Sequence, residues 1–213
     1  LGVDPFVHRL SEDLKDGRVL LQALDRVRPG VVDWRRAKSG HPLSRFQALE
    51  NTNQAVDVAR RVFGFSLVGV QGADITDGSR TLVLALVWQL MRQHIVETLK
   101  AVGVSVADDD VIVRWANSLV GSRCEPISGF KDPSLSDSRF LLHVLDSIAP
   151  GTVNFDLIST NADGYKQNAM YAISVARKLG AVIFALPEDI MEVRPRMILT
   201  FLGSLMAVQK ARS

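Results

Sequence analysis

Apolar residues recur along this chain at spacings of three and four, and the recurrence stops at glycine and proline. Residues 13–27 read as one helix, with Leu14, Leu21 and Leu24 on its inner face and Pro29-Gly30 as its stop. Residues 45–63 read as a long amphipathic helix with Ala48, Leu49, Thr52, Ala55, Val56, Ala59 and Val62 on one side, ended by Gly64. Residues 111–120, 136–148, 165–179 and 194–210 follow the same rule, and residues 6–10, 73–76 and 187–191 read as single turns. The best strand candidate, residues 182–186, is short, so the expected fold class is all-α. One stretch departs from the pattern. Residues 79–95 open with an Asp77-Gly78-Ser79 turn and are then apolar at seven consecutive places, Leu82 to Trp88, before Gln89 interrupts. A surface helix carries one apolar stripe, and a membrane span takes ~20 apolar residues. This helix, apolar nearly all round yet too short to span, is either enclosed on all sides or keeps one side for a partner.

The chain also repeats itself. Leu14, Asp16, Arg18, Leu20, Leu21, Leu24, Asp25, Pro29 and Gly30 reappear 121 residues later as Leu135, Asp137, Arg139, Leu141, Leu142, Leu145, Asp146, Pro150 and Gly151. Asn51, Ala55, Val58, Ala59 and Arg60 match Asn168, Ala172, Val175, Ala176 and Arg177 at a shift of 117. Asp74, Ile75, Leu90 and Met91 match Asp189, Ile190, Leu205 and Met206 at a shift of 115. The shift changes only in expected loops, as in a duplicated domain. The expected layout is a domain at 1–100, a linker at 101–108 and a domain at 109–213. The helix containing Trp115 precedes the second unit's matched segments. The first unit has no counterpart, so its first helix reads as absent from a chain that begins at Leu1 without Met and resembles an excised fragment.

Composition narrows the function classes. The 213 residues are 47% hydrophobic and 23% charged, enough for a packed core. Residues 1–100 hold 14 Lys and Arg against 11 Asp and Glu, and the remainder 11 against 12. Neither half carries the basic footprint of a nucleic-acid binder. The single cysteine, Cys124, excludes an internal disulfide and suits a reducing compartment. No signal peptide, membrane span or lipidation motif is visible.

Candidate chemistry is sparse. His8, His41, His94 and His143 lie far apart without ligand spacing, and Cys124 has no indicated base. Residues 159–170 place Asn161, Asp163 and Gly164 as a calcium loop would, but Ser159 and Met170 occupy the first and twelfth positions, where a carboxylate is needed. Asp108-Asp109-Asp110 suits a helix start. Gly69 and Gly72 lack the Lys-Ser/Thr of a phosphate loop. No catalytic, cofactor-binding or metal-binding residue is therefore assigned. Trp34 and Trp115 read as core, and Trp88 as core or as packing between the two units. Arg35, Arg36 and Lys38 read as a solvated basic loop, with contact to an acidic protein or anionic lipid as the alternative. Arg80 and Arg92 flank the apolar run, at the edge of a binding face where charge complementarity speeds encounter and sets register.

The segments Asp16-Gly17-Arg18-Val19-Leu20-Leu21, Asn51 before a long helix, Asp74-Ile75 and the helix from Leu82 to Met91 resemble the tandem calponin-homology domains of actin-binding proteins. Leu1-Gly2-Val3-Asp4-Pro5, Phe65-Ser66-Leu67-Val68-Gly69, Leu82 to Met91 and Ala172-Ile173-Ser174-Val175-Ala176-Arg177-Lys178 are similar to the fimbrin (plastin) family, in its second, C-terminal actin-binding pair. The resemblance implies two bundles of about four main helices each, a pair that binds the side of filamentous actin, and a whole protein whose two pairs bundle neighbouring filaments. It implies actin contact on the last helix of the first unit, on that unit's first helix, which has no positions in this sequence, and on the first helix of the second. The expected contact set is Arg80, Leu84, Val87, Trp88, Met91, Arg92, Ile95 and Arg114. The expectation is a cytoplasmic, cytoskeleton-associated monomer without enzymatic activity or cofactor, with anionic phosphoinositide lipid as a further partner. A scaffold for microtubules or another protein is the alternative reading, and an enzyme of unknown type the remaining one.

Overall fold

The computed structural model describes residues 7–40, 42–101, 103 and 110–212. Ten α-helices occur among them. They are α1 (Leu10–Asp13), α2 (Arg18–Val27), α3 (Arg45–Arg61), α4 (Gly72–Thr76), α5 (Arg80–Ala101), α6 (Asp110–Val120), α7 (Arg139–Ile148), α8 (Tyr165–Lys178), α9 (Pro187–Met191) and α10 (Pro195–Arg212). No strand occurs among the described residues, and residues 182–186 form a connector rather than a strand. The all-α expectation holds. The chain separates into two compact units, Leu1–Glu97 and Thr98–Ser213. Of the expected linker at 101–108, Ala101 instead ends α5, and residues 102 and 104–108 lie outside the described residues, as do residue 109 and the expected turn's Phe6.

The first unit packs Leu20, Leu21 and Leu24 of α2, Ala55, Val56 and Ala59 of α3, Ile75 of α4 and Val83, Leu86 and Leu90 of α5 into one core. The second repeats this plan with Leu141, Leu142 and Leu145 of α7, Ala172 and Ala176 of α8, Ile190 of α9 and Ile198, Phe201 and Leu205 of α10, all buried. Burying a large aliphatic side chain contributes ~1.5–3 kcal/mol, so these rows account for the helical spacing read from the sequence.

The expected helix at 13–27 is instead two. The first ends at Asp13, and Gly17, at φ 74° in the left-handed region, is the residue from which the second starts. Its lack of a side chain also lets the chain press onto α3: a Cβ at Gly17 would lie 2.7 Å from Asn51 Cβ and 2.7 Å from the Thr52 nitrogen. The equivalent break in the second unit falls at Ser138, φ 64°, after a short 3-10 turn at Pro133–Asp137. Periodicity alone missed both breaks because the apolar spacing runs through them.

The polar residues shared by the two units turn out to be backbone braces. Asn51 donates from Nδ2 to the carbonyls of Asp16 (2.9 Å) and Lys38 (3.0 Å) and accepts from the Lys38 N–H at 2.7 Å. Asn168 does the same with Asp137 (3.0 Å), Ser159 (2.8 Å) and the Ser159 N–H (2.9 Å). Asp25 accepts from the Gly30 N–H and Asp146 from the Gly151 N–H, at 3.0 and 2.9 Å. Asp74 accepts from Gln71 N–H and Asp189 from Leu186 N–H, at 2.7 and 2.8 Å. Buried backbone groups must be satisfied, so a duplicated fold retains the side chains that satisfy them. Function is to be sought where the units differ.

The 3-10 turn before α7 is held by Asp132. Its carboxylate accepts from the Ser128 N–H and hydroxyl at 2.8 and 2.9 Å and from the Ser134 N–H and hydroxyl at 3.0 and 2.8 Å. These bonds, the Ser128 backbone one foremost, lower its pKa from 3.8 to about 2. A depressed carboxylate pKa adds stability above the unfolded value, and that stability is lost as pH falls toward the folded one. Asp132→Ala is expected to cost about 1 kcal/mol at neutral pH, the size of a lost cap. In urea titrations the gap from the native chain is expected to close as pH is lowered from 3.8 to about 2.

Candidate functional site

The last helices of the two units share one face and differ on another. At a shift of 115, Val83, Leu86 and Leu90 of α5 correspond to Ile198, Phe201 and Leu205 of α10, and all six are buried. That is the shared core face. Away from it the helices diverge. In α10 every residue from 198 to 207 is buried, including Thr200, Gly203 and Ser204, and the helix packs against α6, α7 and α9. The α6 contact includes a hydrogen bond from the Trp115 indole to Gln209 at 3.3 Å. In α5 the positions matching Leu199 and Ala207 are Leu84, 46% exposed, and Arg92, also exposed. Among the described residues, the first unit has no helix equivalent to α6.

Gln89, which interrupts the apolar run, is a clamp. Its carbonyl accepts from the Ser66 N–H at 2.8 Å and its amide donates to the Ser66 carbonyl at 2.9 Å. At the matching place the Ser204 hydroxyl accepts from the Val182 N–H at 2.9 Å. Both polar positions tie the last helix to the connector after the long helix, which explains why neither unit is apolar there.

The expected contact residues fall into three groups. Arg80, Leu84 and Arg92 are exposed on α5. Trp88 and Met91 are half-buried on the same helix. Val87 is half-buried like Trp88 and Met91 and packs against the first unit's core, whereas Ile95 is only 2% exposed. Ile95 is therefore the one position of the set whose side chain offers almost no area to a partner. Arg114 is exposed, but it stands on α6 in the second unit. Burial pushes the His94 imidazole below its usual value, so it adds no positive charge to this helix at neutral pH. Arg28 pairs with Glu97 at 2.5 Å and lies 4.8 Å above the Phe63 ring, holding the end of α2 beside α5.

The remaining candidates resolve simply. Trp34, expected in the core, is 46% exposed and donates to Asp25 at 3.2 Å. An indole N–H needs a partner, and that need outweighs full burial here. Arg35 pairs with Asp33 and Lys38 with Glu50, so the basic loop is partly neutralised. Burial pushes the half-buried Cys124 thiol up, which disfavours thiolate chemistry. No group of three metal-ligating side chains occurs among the described residues, and no helix is long and apolar enough to cross a membrane. Sequence reading missed Phe46 and Val68, which are 71% and 90% exposed. The signal for Phe46 was its helical register with Glu50, Asn53 and Asp57, the polar side of α3.

Comparison with known proteins fits this duplicated helical plan. A model of the calponin homology (CH) domain matches residues 2–95 and again residues 107–211. The chain belongs to the calponin homology family. Its two homology units are 52% identical over 221 residues to fimbrin of Saccharomyces cerevisiae, covering 99% of this chain and 34% of that protein. They are 41% identical over 215 residues to human plastin-3, covering 97% of this chain and 34% of that one. The chain thus spans about a third of the length of these relatives. Among solved structures, the actin-crosslinking core of Schizosaccharomyces pombe fimbrin matches with a TM-score of 0.83 and 48% identity, over 96% of this chain and 44% of that one. Paired calponin homology units with fimbrin and plastin relatives are what the resemblance in the sequence implied.

Proposed function

We propose that this chain is an actin-binding module that docks on the side of the filament, within a protein that cross-links filaments into bundles. The observation that carries the reading is the 48% identity, over 96% of the chain, to the actin-crosslinking core of a fimbrin. Within the module, the outer face of α5 is the contact surface. Arg80, Leu84 and Arg92 supply exposed area and positive charge, Trp88 and Met91 border them, and exposed Arg114 on α6 adds a contact from the second unit. The mechanism is surface complementarity: a rigid helix presents an apolar strip between cations to an acidic filament, so charge steers encounter and apolar area slows release. No covalent step is involved and the module is not an enzyme. It acts as a monomer in the cytoplasm, on the cytoskeleton, in two domains whose boundary lies at the end of α5. The cations also suit an anionic phosphoinositide headgroup as a secondary ligand.

Co-sedimentation with actin filaments tests this. Arg80→Glu and Arg92→Glu are each expected to weaken binding by about tenfold, as for a rim charge turned repulsive. Circular dichroism should be unchanged, since both side chains are exposed. Equal sedimentation of both folded variants would remove α5 as the contact surface. Pelleting with microtubules but not with actin would favour a scaffold role instead.

A further inference from the structure

The duplication supplies an internal control for the rest of the surface, and it isolates one cleft. In the second unit α8, the connector after it and the start of α9 enclose an open cleft of about 530 Å³, lined by Met170, Ile173, Ser174, Lys178, Leu186 and Pro187. Met170 and Leu186 are 54% and 60% exposed. At the shifts that align the units, the first unit carries Asn53, Val56, Asp57, Arg61, Gln71 and Gly72 at these places. Two exposed polar residues have become large and apolar, and an acid has become Ser174.

The backbone follows the same change. Gly72 lets α4 lie directly on α3: a Cβ there would meet the Asn53 side-chain oxygen at 2.3 Å and its backbone nitrogen at 2.6 Å. Pro187 puts a ring where Gly72 has only hydrogen, so α9 cannot approach α8 as closely and the cleft opens. Arg177 adds a second cation, donating to the Ile183 carbonyl at 3.4 Å. The acids nearest in sequence are engaged elsewhere. Glu188 pairs with Lys166 at 2.8 Å, and Asp189 pairs with Arg194 at 2.9 Å.

We propose that this cleft docks a peptide segment that is acidic and carries large apolar side chains, a contact separate from α5 and independent of the actin reading. The apolar floor of Met170, Ile173 and Leu186 takes the side chains, and Arg177 and Lys178 hold the carboxylates. Removal of the acid found at the first unit's Asp57 leaves the cleft's charge of one sign, which selects an anionic occupant and repels a basic one.

The test titrates the whole chain with a fluorescent short peptide of Asp and Glu flanking a Leu-Leu pair. Saturable binding is expected, with methyl NMR shifts at Met170, Ile173 and Leu186 of the cleft. Two double variants change exposed residues. Met170→Asn with Leu186→Gln restores the first unit's residues, and Ser174→Asp with Lys178→Glu reverses the charge. Each is expected to weaken binding by about tenfold. Replacing the Leu pair by Ser, or the acids by Lys, should do the same on the native chain. The proposal is overturned by absence of saturable binding, by methyl shifts confined to residues outside the cleft, or by binding that survives both double variants. It is also overturned if phosphatidylserine vesicles bind through these residues while the peptide does not, which would make a lipid surface the occupant. The shift pattern is read on the native chain, so the result does not depend on how the variants fold.

Discussion

Asn168→Ala is expected to destabilise the second unit, and Asn51→Ala the first, by about 3 kcal/mol each. The magnitude follows from what is left behind. Each asparagine is essentially inaccessible to solvent and satisfies two carbonyls and one N–H from loops distant in sequence. Truncation orphans three backbone groups, at ~1–3 kcal/mol for each that water does not reach. Asn→Asp should be nearly as costly, because a carboxylate cannot donate to the two carbonyls and would be buried without a cation. Hydrogen exchange reads the two units separately, so protection should fall in α2 and α3 for Asn51→Ala and in α7 and α8 for Asn168→Ala. Uniform loss in both units from either change would contradict the local bracing.

The second large effect distinguishes two residues at one position of the repeat. Gly17→Ser is expected to destabilise by about 3 kcal/mol or more. It forces a side chain into the left-handed region at φ 74° and drives Cβ to within 2.7 Å of Asn51 and of the Thr52 backbone, where nothing flexible can yield. Ser138→Gly should go the other way, gaining about 1 kcal/mol. Ser138 is already at φ 64°, and its buried hydroxyl has no hydrogen-bond partner, so glycine relieves both penalties. Denaturant midpoints of the two single variants give the comparison. A loss of stability in Ser138→Gly would mean that the hydroxyl has a partner not visible in its surroundings.

These predictions bear on how the family fold is maintained. The side chains that the two units share most faithfully hold backbone, and the exposed side chains are where the units differ. Leu84 and Arg92 stand where the second unit has buried Leu199 and Ala207. Met170 and Leu186 stand where the first unit has Asn53 and Gln71. The two proposed contacts thus lie at places where the units differ, one on the last helix of the first unit and one beside the long helix of the second.

Periodicity, the stops at glycine and proline, and the shift of 121 to 115 residues were enough to establish an all-α duplicated fold and nearly every helix in it. Those features are local, because a helix buries the face its own spacing creates. The sequence also marked α5 as carrying more apolar surface than one core needs. It did not show which of those side chains are spent inward. That Ile95 is buried and Leu84 exposed depends on what packs around the helix, which no spacing along α5 encodes. The left-handed breaks at Gly17 and Ser138 were hidden for the same reason: the apolar rhythm continues through them, and only the approach of Asn51 and Asn168 from a distant helix makes the turn necessary. Trp34 reached the surface because its indole found Asp25 across a turn. Local pattern decided the helices, and long-range contact decided which of their faces remained available.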